Sequence, residues 1–505
     1  MTSTLPSIDP RTGSPTGAEV AETTGAELDA VCAAADSAAA PLEAIGRLGR
    51  ADVLDAVADA LDDRREEVVA SADAETALGT TRLTGELART TYQLRLFAEV
   101  LREGSYLEAT LDRPGSTPAG PRPDLRRMLV PLGPVAVFAA SNFPLAFSVP
   151  GGDTASALAA GCPVVVKAHE GHPATSELCA RIVGDTMRTA GAPDGSFAVV
   201  HGRDAGLGLV RHPAIRSVGF TGSQRGAFAL LAAIDERPDP IPFHGELGSL
   251  NPVVVTESAA VDRGEEVADG LAASFMLGGG QFCTKPGLVL VPTGPAGDAV
   301  TERLVDAVRQ APSPHLLTRG IAEGYPPAVE RQERVDGLRV LVEGPGSDSE
   351  GYAVRPRVSE VSAAALVPEV LEETFGPATV VVRYTGPKEL DEALGALPGS
   401  LTTTLHLGAD EDPSPHLVDR LRHRSGRIVF GGFPTGVAVA WAQQHGGPWP
   451  AANSQHTSVG PTAVRRFLRP VAWQDAPTSV LPAELRDGYD EIPRRIDGVL
   501  EGTAR

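Results

Sequence analysis

From Met128 onward, short valine-rich runs alternate with helix-like segments of about a dozen residues, and that alternation fixes the fold class. MLVPLGPVAVFAAS, a helical segment from Ser148 to Ala160 and PVVVKAH read as strand, helix, strand. SFAVVHG, SVGFTGS and NPVVVTES continue the series, and a second set after residue 253 comprises GLVLVPT, ATVVVRY, TTTLHLG and GRIVFGG. Runs this short and this uniformly apolar suit strands covered on both faces, and the intervening helices are the crossovers that parallel neighbours require. The expectation is therefore an α/β chain with two doubly wound parallel-sheet domains of different size, joined near residue 250. Upstream, residues 26–72 and 83–104 carry apolar side chains at helical spacing and read as surface helices packed on a domain. The Pro/Gly-rich stretch 113–124 reads as a turn or an excursion from the body, and the first dozen and last few residues read as disordered.

Composition narrows the class of partner. The chain has 505 residues with 44 basic and 65 acidic side chains, a net charge of −21 that argues against nucleic acid and against anionic membrane surfaces. Four scattered cysteines, none in a CxxC pair, suit neither a disulfide scaffold nor a structural zinc site, so no metal is expected. The N-terminus lacks a basic segment followed by an apolar one. The most apolar stretch, Ala155 to Val166, is broken by Gly161 and Pro163 and is too short to span a bilayer. A cytoplasmic location is expected.

Among candidate chemical groups, Cys283 in GGGQFCTKPG stands apart. Cys32, Cys162 and Cys179 lie in Ala/Val-rich segments and read as small buried hydrophobes, a reading that Cys283 also admits. Its glycine, glutamine, threonine and lysine neighbours instead suit a thiol turned into a cleft. A nucleophilic thiol needs a base and oxyanion donors. Glu246 in HGELGS is flanked by glycines that allow close approach, although it reads equally as a solvated turn residue. Asn142 in AASNFP follows a strand, at the carboxyl end where open α/β sheets bind ligands, or is simply a turn residue. Lys167, one of only three lysines, ends the strand PVVVK, and FTGS (Thr221, Gly222, Ser223) closes another strand in a form suited to phosphate. No GxGxxG follows any strand.

Taken in order, SNFP, KAHE, FTGS, GELGS, GQFCT and EETFGP, spread over about 240 residues, resemble the aldehyde dehydrogenase superfamily. The stretches NFPLAFSVPGGDTASALAAGCPVVVKAH, FPTGVAV and QQHGGPWPAANSQHTSVGPTAVRRFLRPVAWQDAP look like its branch of α-ketoglutaric semialdehyde (2,5-dioxovalerate) dehydrogenases. The likeness runs from about residue 5 to 490. It implies a dinucleotide-binding domain over 1–105 and 128–248 with part of 438–475, and a catalytic domain over 249–437. Segments 106–127 and 476–505 would serve oligomerisation. It further implies Cys283 as nucleophile, Asn142 with the Cys283 backbone N–H as oxyanion hole, and Glu246 as general base. Lys167 and Glu170 would touch the adenosine ribose, Ser223 with Thr221 and Gly222 the pyrophosphate, and Glu373 with Phe375 the nicotinamide ribose region. The usual Glu-Leu-Gly-Gly-Lys is here Glu246-Leu-Gly-Ser249-Leu250, as in this branch. A carboxylate at Glu170 favours a 2′-hydroxyl over a 2′-phosphate, with His169 and Arg203 able to offset it, so NAD is expected with NADP tolerated.

The expected reaction is non-acylating, NAD(P)-dependent oxidation of 2,5-dioxopentanoate to 2-oxoglutarate through a cysteine thiohemiacetal and thioester. Alternatives are another semialdehyde or a fatty aldehyde, a cofactor-free esterase, and a non-catalytic binding protein of the same fold. For a carboxylated substrate, Arg89 on the helix LARTTYQLRLF matches a channel position, with Gln93 on the same face, or else both lie on a solvated face. Phe143, Phe147, Pro150, Phe282, Trp449 and Pro450 read as channel walls or as core. A homodimer or homotetramer is expected.

Overall fold

The computed structural model describes residues 3–347 and 350–502. A first sheet has five parallel strands in the spatial order Phe243–Glu246, Ser217–Thr221, Val135–Phe138, Val164–Lys167, Phe197–Val200. The chain starts in the middle, winds to one edge, then returns past its start to wind to the other. The switch falls between Val135–Phe138 and Ser217–Thr221, and ligands of open α/β sheets bind beyond the carboxyl ends of strands at such a point. Asn142, Lys167, Thr221 and Glu246 all lie at or just beyond those ends.

The second sheet has seven strands, ordered Arg339–Glu343, Arg357–Ser362, Ala378–Tyr384, Leu288–Pro292, Val253–Val255, Ser400–His406, Ser425–Phe430. All its pairs are parallel except the one between Arg339–Glu343 and Arg357–Ser362. Val253, Val254 and Val255 are fully buried between helical layers. Each such side chain contributes about 1.5 kcal/mol or more, which is why a three-residue interior strand suffices. This matches the expected α/β architecture with two doubly wound sheets.

A third, five-stranded sheet is less regular. Leu468–Gln474 pairs with Leu125–Pro131, which continues through Thr110–Asp112 and Arg494–Ile496 to Val499–Glu501. The Pro/Gly-rich stretch inside it is an exposed hairpin, Gly115–Thr117 with Gly120–Arg122. The expectation of disorder at the N-terminus is corrected. Thr4–Asp9 pairs antiparallel with Ser14–Ala21, and Arg11 in the turn ties to Asp73 by 2.9 Å ion-paired bonds. Thr24 then caps the helix Gly25–Ala44 in a reciprocal box with Glu27. At the other end Val499–Glu501 is a strand, while residues 503–505 lie outside the described residues. No helix among the described residues is long and apolar enough to cross a membrane.

Candidate active site

Cys283 sits in the connection between the helix Glu257–Met276 and the central strand Leu288–Pro292. The three glycines before it, Gly278 to Gly280, take φ of 60°, 70° and 69°. A side chain at Gly280 would be strained by that left-handed backbone and would overlap the carbonyl of Gly376. Beyond the cysteine, Asn251 Nδ2 donates to the carbonyls of Cys283 (2.8 Å) and Lys285 (3.0 Å). Ser249 of the GELGS motif donates to Asn251 Oδ1 at 2.8 Å, so the departure from the usual motif serves to hold this asparagine. The buried Lys285 Nζ donates to the carbonyls of Thr374 (2.6 Å) and Ala378 (3.0 Å), stapling the Glu373–Phe375 loop to the cysteine loop.

Asn142 is buried, and its Nδ2 donates to the carbonyl of Gln281 at 2.6 Å. One N–H is thereby used in docking onto the cysteine loop and the second stays available. The helix Thr80–Glu103 organises this region with one face. Arg82, Glu86, Arg89 and Gln93, spaced four, three and four apart, meet successive points of segment 142–152. Arg82 Nη2 donates to the carbonyl of Asn142 at 2.6 Å, and its guanidinium lies 5.0 Å and 4.9 Å from the ring centres of Phe143 and Phe282. The buried Glu86 carboxylate accepts from the backbone N–H groups of Leu145 and Ala146. Arg89 lies over Phe147 at 5.1 Å, and both of its terminal nitrogens are buried without a hydrogen-bond partner. Gln93 packs against Gly152.

Glu246 ends the edge strand of the first sheet and is buried. Its Oε1 is 2.9 Å from Nε2 of His445, and its Oε2 accepts from Ser458 Oγ at 2.6 Å. His445 Nε2 is also 3.5 Å from Cys283 Sγ, so one imidazole nitrogen touches both the thiol and the carboxylate. Burial alone would push the Glu246 carboxyl up, but the charge and hydrogen bond of His445, with Ser458 and Cys283, bring it down to about 2. The Cys283 thiol is pushed well above its ordinary value by burial, then by the Glu246 charge, with Arg89 opposing. The other three cysteines are buried, as expected, with thiols pushed up to about 11, 11 and 12, chiefly by burial.

On the dinucleotide side, Lys167 Nζ pairs with Glu170 at 3.1 Å. Ser223 caps the helix Gln224–Asp235 by accepting from Gly226 N–H at 3.2 Å, and exposed Gly222 leaves that helix N-terminus open to an anion. Arg203 is exposed at the start of the helix Arg203–Arg211. His169 is held well below its ordinary pKa by burial and by the nearby His172 and Lys167, so it is neutral and cannot offset the Glu170 charge. Glu373 and Phe375 are half-buried. Burial raises the Glu373 carboxyl and lowers the Lys285 amine, and each restrains the other's shift. A Cβ at Gly248 would overlap the Glu373 carboxylate, so this glycine keeps the pocket open. The strand-end lysine, the open helix N-terminus and the loop carboxylate suit a dinucleotide.

Phe143, Phe147 and Phe282 form one aromatic wall, with ring centres 5.2 Å and 5.0 Å apart and His445 6.3 Å from Phe147. Trp449 is elsewhere: half-exposed, its ring packs on Phe228 of the helix Gln224–Asp235, 5.7 Å between centres. Sequence reasoning missed His445, Ser458, Arg82, Glu86 and Arg427. The last donates to the carbonyls of Pro434 and Gly436 in the FPTGVAV loop. Arg82 and Glu86 share the helical phase of Arg89 and were open to detection by it. His445 stands in QQHGGP with nothing local to mark it.

The aldehyde dehydrogenase family model matches residues 1–403. The chain is 44% identical to alpha-ketoglutaric semialdehyde dehydrogenase 2 of Azospirillum brasilense, covering 99% of this chain and 96% of that protein. It is 41% identical to alpha-ketoglutaric semialdehyde dehydrogenase of Acinetobacter baylyi, covering 98% and 96%. Its fold superposes on an NAD+ complex of aldehyde dehydrogenase from Bacillus cereus with a TM-score of 0.80 at 22% identity, covering 94% of each chain.

Proposed function

The chain belongs to the aldehyde dehydrogenase family, and on that premise we propose that it oxidises 2,5-dioxopentanoate to 2-oxoglutarate. The observation that carries this substrate is Arg89. Two buried guanidinium nitrogens without partners, beside the aromatic wall, are a costly arrangement unless a carboxylate completes it. The relatives named for the same semialdehyde support it.

The thiol of Cys283 gives its proton to its hydrogen-bond partner, the Glu246 carboxylate, which passes it to solvent before the later hydrolysis, while His445 Nε2 stays within 3.5 Å of the sulfur. The sulfur then bonds the aldehyde carbon, and the free N–H of Asn142 with the Cys283 backbone N–H holds the resulting oxyanion of the thiohemiacetal. A bound nicotinamide dinucleotide supplies the hydride acceptor. Lys167 and Glu170, the Ser223 helix N-terminus with Thr221 and Gly222, and Glu373 with Phe375 would hold it. Loss of hydride leaves a thioester on Cys283. Glu246, ionised at neutral pH, takes a proton from the water that hydrolyses this thioester, so the acid is released and the thiol restored. The Glu170 carboxylate, paired with Lys167 at 3.1 Å and with no charged His169 beside it, favours NAD over NADP. The third sheet, with Val499 and Leu500 exposed on its edge strand, supports assembly into a homodimer or homotetramer.

The test is a comparison of kcat/KM for 2,5-dioxopentanoate, succinic semialdehyde and hexanal, each with NAD and NADP. The proposal expects 2,5-dioxopentanoate with NAD to lead. Preference for hexanal would make the aromatic wall, rather than Arg89, the specificity element and would reject the substrate.

A further inference from the structure

We propose that Cys283, His445 and Glu246 form a reversible binding site for a soft divalent cation of the zinc class, which silences the enzyme by capturing its sulfur. The inference goes beyond the dehydrogenase reading and needs only the geometry of the three side chains. Their ligand atoms, one sulfur, one imidazole nitrogen and one carboxylate oxygen, all lie within 4.8 Å of one another. Tetrahedral zinc bonds sulfur at about 2.3 Å and nitrogen or oxygen at about 2.0–2.2 Å, so its ligand atoms stand about 3.5 Å apart. The sulfur–nitrogen separation of 3.5 Å already meets this, and the nitrogen–oxygen separation of 2.9 Å has to open by a few tenths of an ångström.

Of the three ligands only Cys283 is partly exposed, so a fourth ligand would come from its side, as in accessible zinc sites rather than closed structural ones. A mixed sulfur, nitrogen and oxygen set favours zinc over magnesium, which wants six oxygens. The outer shell is half built. Ser458 holds Glu246 Oε2 at 2.6 Å, so the ion would take Oε1 by replacing its 2.9 Å contact with His445 Nε2, and the His445 backbone N–H is fixed by Thr457 Oγ1 at 2.8 Å. His445 Nδ1 has no partner, so the imidazole lacks the outer hydrogen bond that strengthens structural sites, and the ion exchanges. On binding, the thiol proton leaves to solvent, the imidazole proton that Nε2 shares with Glu246 moves to the unpartnered Nδ1, and Nε2, the thiolate and Oε1 each give an electron pair to the metal. The charges facing the site oppose each other: Glu373 adds negative potential at the sulfur, while Arg89 and Arg427 add positive. Arg89 therefore limits the affinity.

The experiment uses the intact enzyme without substrate, titrated with Zn2+ against a chromophoric indicator while iodoacetamide labelling of Cys283 is followed. One equivalent of Zn2+ is expected to bind and block labelling, EDTA to restore it, and Mg2+ to do neither. His445→Asn is expected to weaken binding by about tenfold or more, Ser458→Ala by about tenfold, and Arg89→Met to tighten it. If His445→Asn does not fold, Ser458→Ala alone decides. Wild-type affinity in Ser458→Ala and Glu246→Gln, or labelling that EDTA fails to restore, would overturn the site. Neither result depends on which aldehyde the enzyme oxidises.

Discussion

Replacing Arg89 by methionine separates function from stability in one variant. The side chain makes no hydrogen bond through its terminal nitrogens, both of them buried. Burial lowers its pKa, with Glu86, Cys283 and Glu246 opposing, which leaves a charged group with little to hold it. Exchanging such an unpartnered buried cation for an apolar side chain of similar length is expected to leave stability unchanged or raise it, since burying a charge without partners costs the fold. Arg82 stays 3.8 Å from Glu86, so the carboxylate is not left without a counter-charge. Binding moves the other way. A charged hydrogen bond to a substrate carboxylate is worth about 1.5–3 kcal/mol net of its exchange with water, and one such bond is the least that Arg89 supplies. A net 1.5–3 kcal/mol at 1.36 kcal/mol per tenfold is a loss of roughly 10- to 150-fold in kcat/KM. The assay pairs steady-state kinetics on 2,5-dioxopentanoate and hexanal with thermal unfolding. The carboxylated substrate is expected to suffer through KM, hexanal to change less than threefold, and Tm to hold or rise. Equal losses on both aldehydes would remove Arg89 from substrate recognition, and a large fall in Tm would mean that it stabilises the free fold.

Three further substitutions test the same geometry. Asn142→Ala removes one oxyanion donor and is expected to lower kcat by about 10²- to 10³-fold, measured in single turnovers that isolate acylation. Glu246→Gln deletes a charge that raises the Cys283 thiol, so iodoacetamide labelling should begin at lower pH than in wild type even as turnover falls; a shift to higher pH would contradict the electrostatics. The same substitution bears on acid stability. The wild-type carboxyl, at about 2 when folded against an ordinary 4.5, contributes stability that is present above pH 4.5 and lost as pH falls through 2, and the variant's unfolding should lack that component. Lys285→Met breaks the staple to Thr374 and Ala378 and strips Glu373 of its counter-charge, so a loss of about 3–5 kcal/mol in unfolding and a raised KM for NAD are expected.

The sheets were legible because their strands are valine runs: Val164–Lys167, Val253–Val255 and Leu288–Pro292 carry their burial in their composition. Phe243–Glu246 was not, since FHGE has neither alternation nor β-branching, and it becomes a strand only because Ser217–Thr221 offers a parallel edge. The charged strands Arg339–Glu343 and Arg357–Ser362 escaped for a related reason, their faces being half ion pairs. The N-terminal hairpin is held by Asp73, sixty-two residues away from Arg11, a contact that local reading does not reach. In the site, Asn142, Glu246 and Cys283 stood out through local motifs. His445 did not: it meets Glu246 across 199 residues of chain, and only tertiary folding brings it there. Trp449, read as a channel wall, packs its ring on Phe228.

The nucleophile hangs from one sheet, the carboxylate ends another, and the histidine arrives on a returning segment anchored by the bridge between Glu246 and Ala452. Turnover thus reports the mutual alignment of bodies that each keep their own core. In dilute urea a slight slippage between them should extinguish activity while far-ultraviolet circular dichroism still registers intact helices and strands, making the enzyme a sensor of its own loosening.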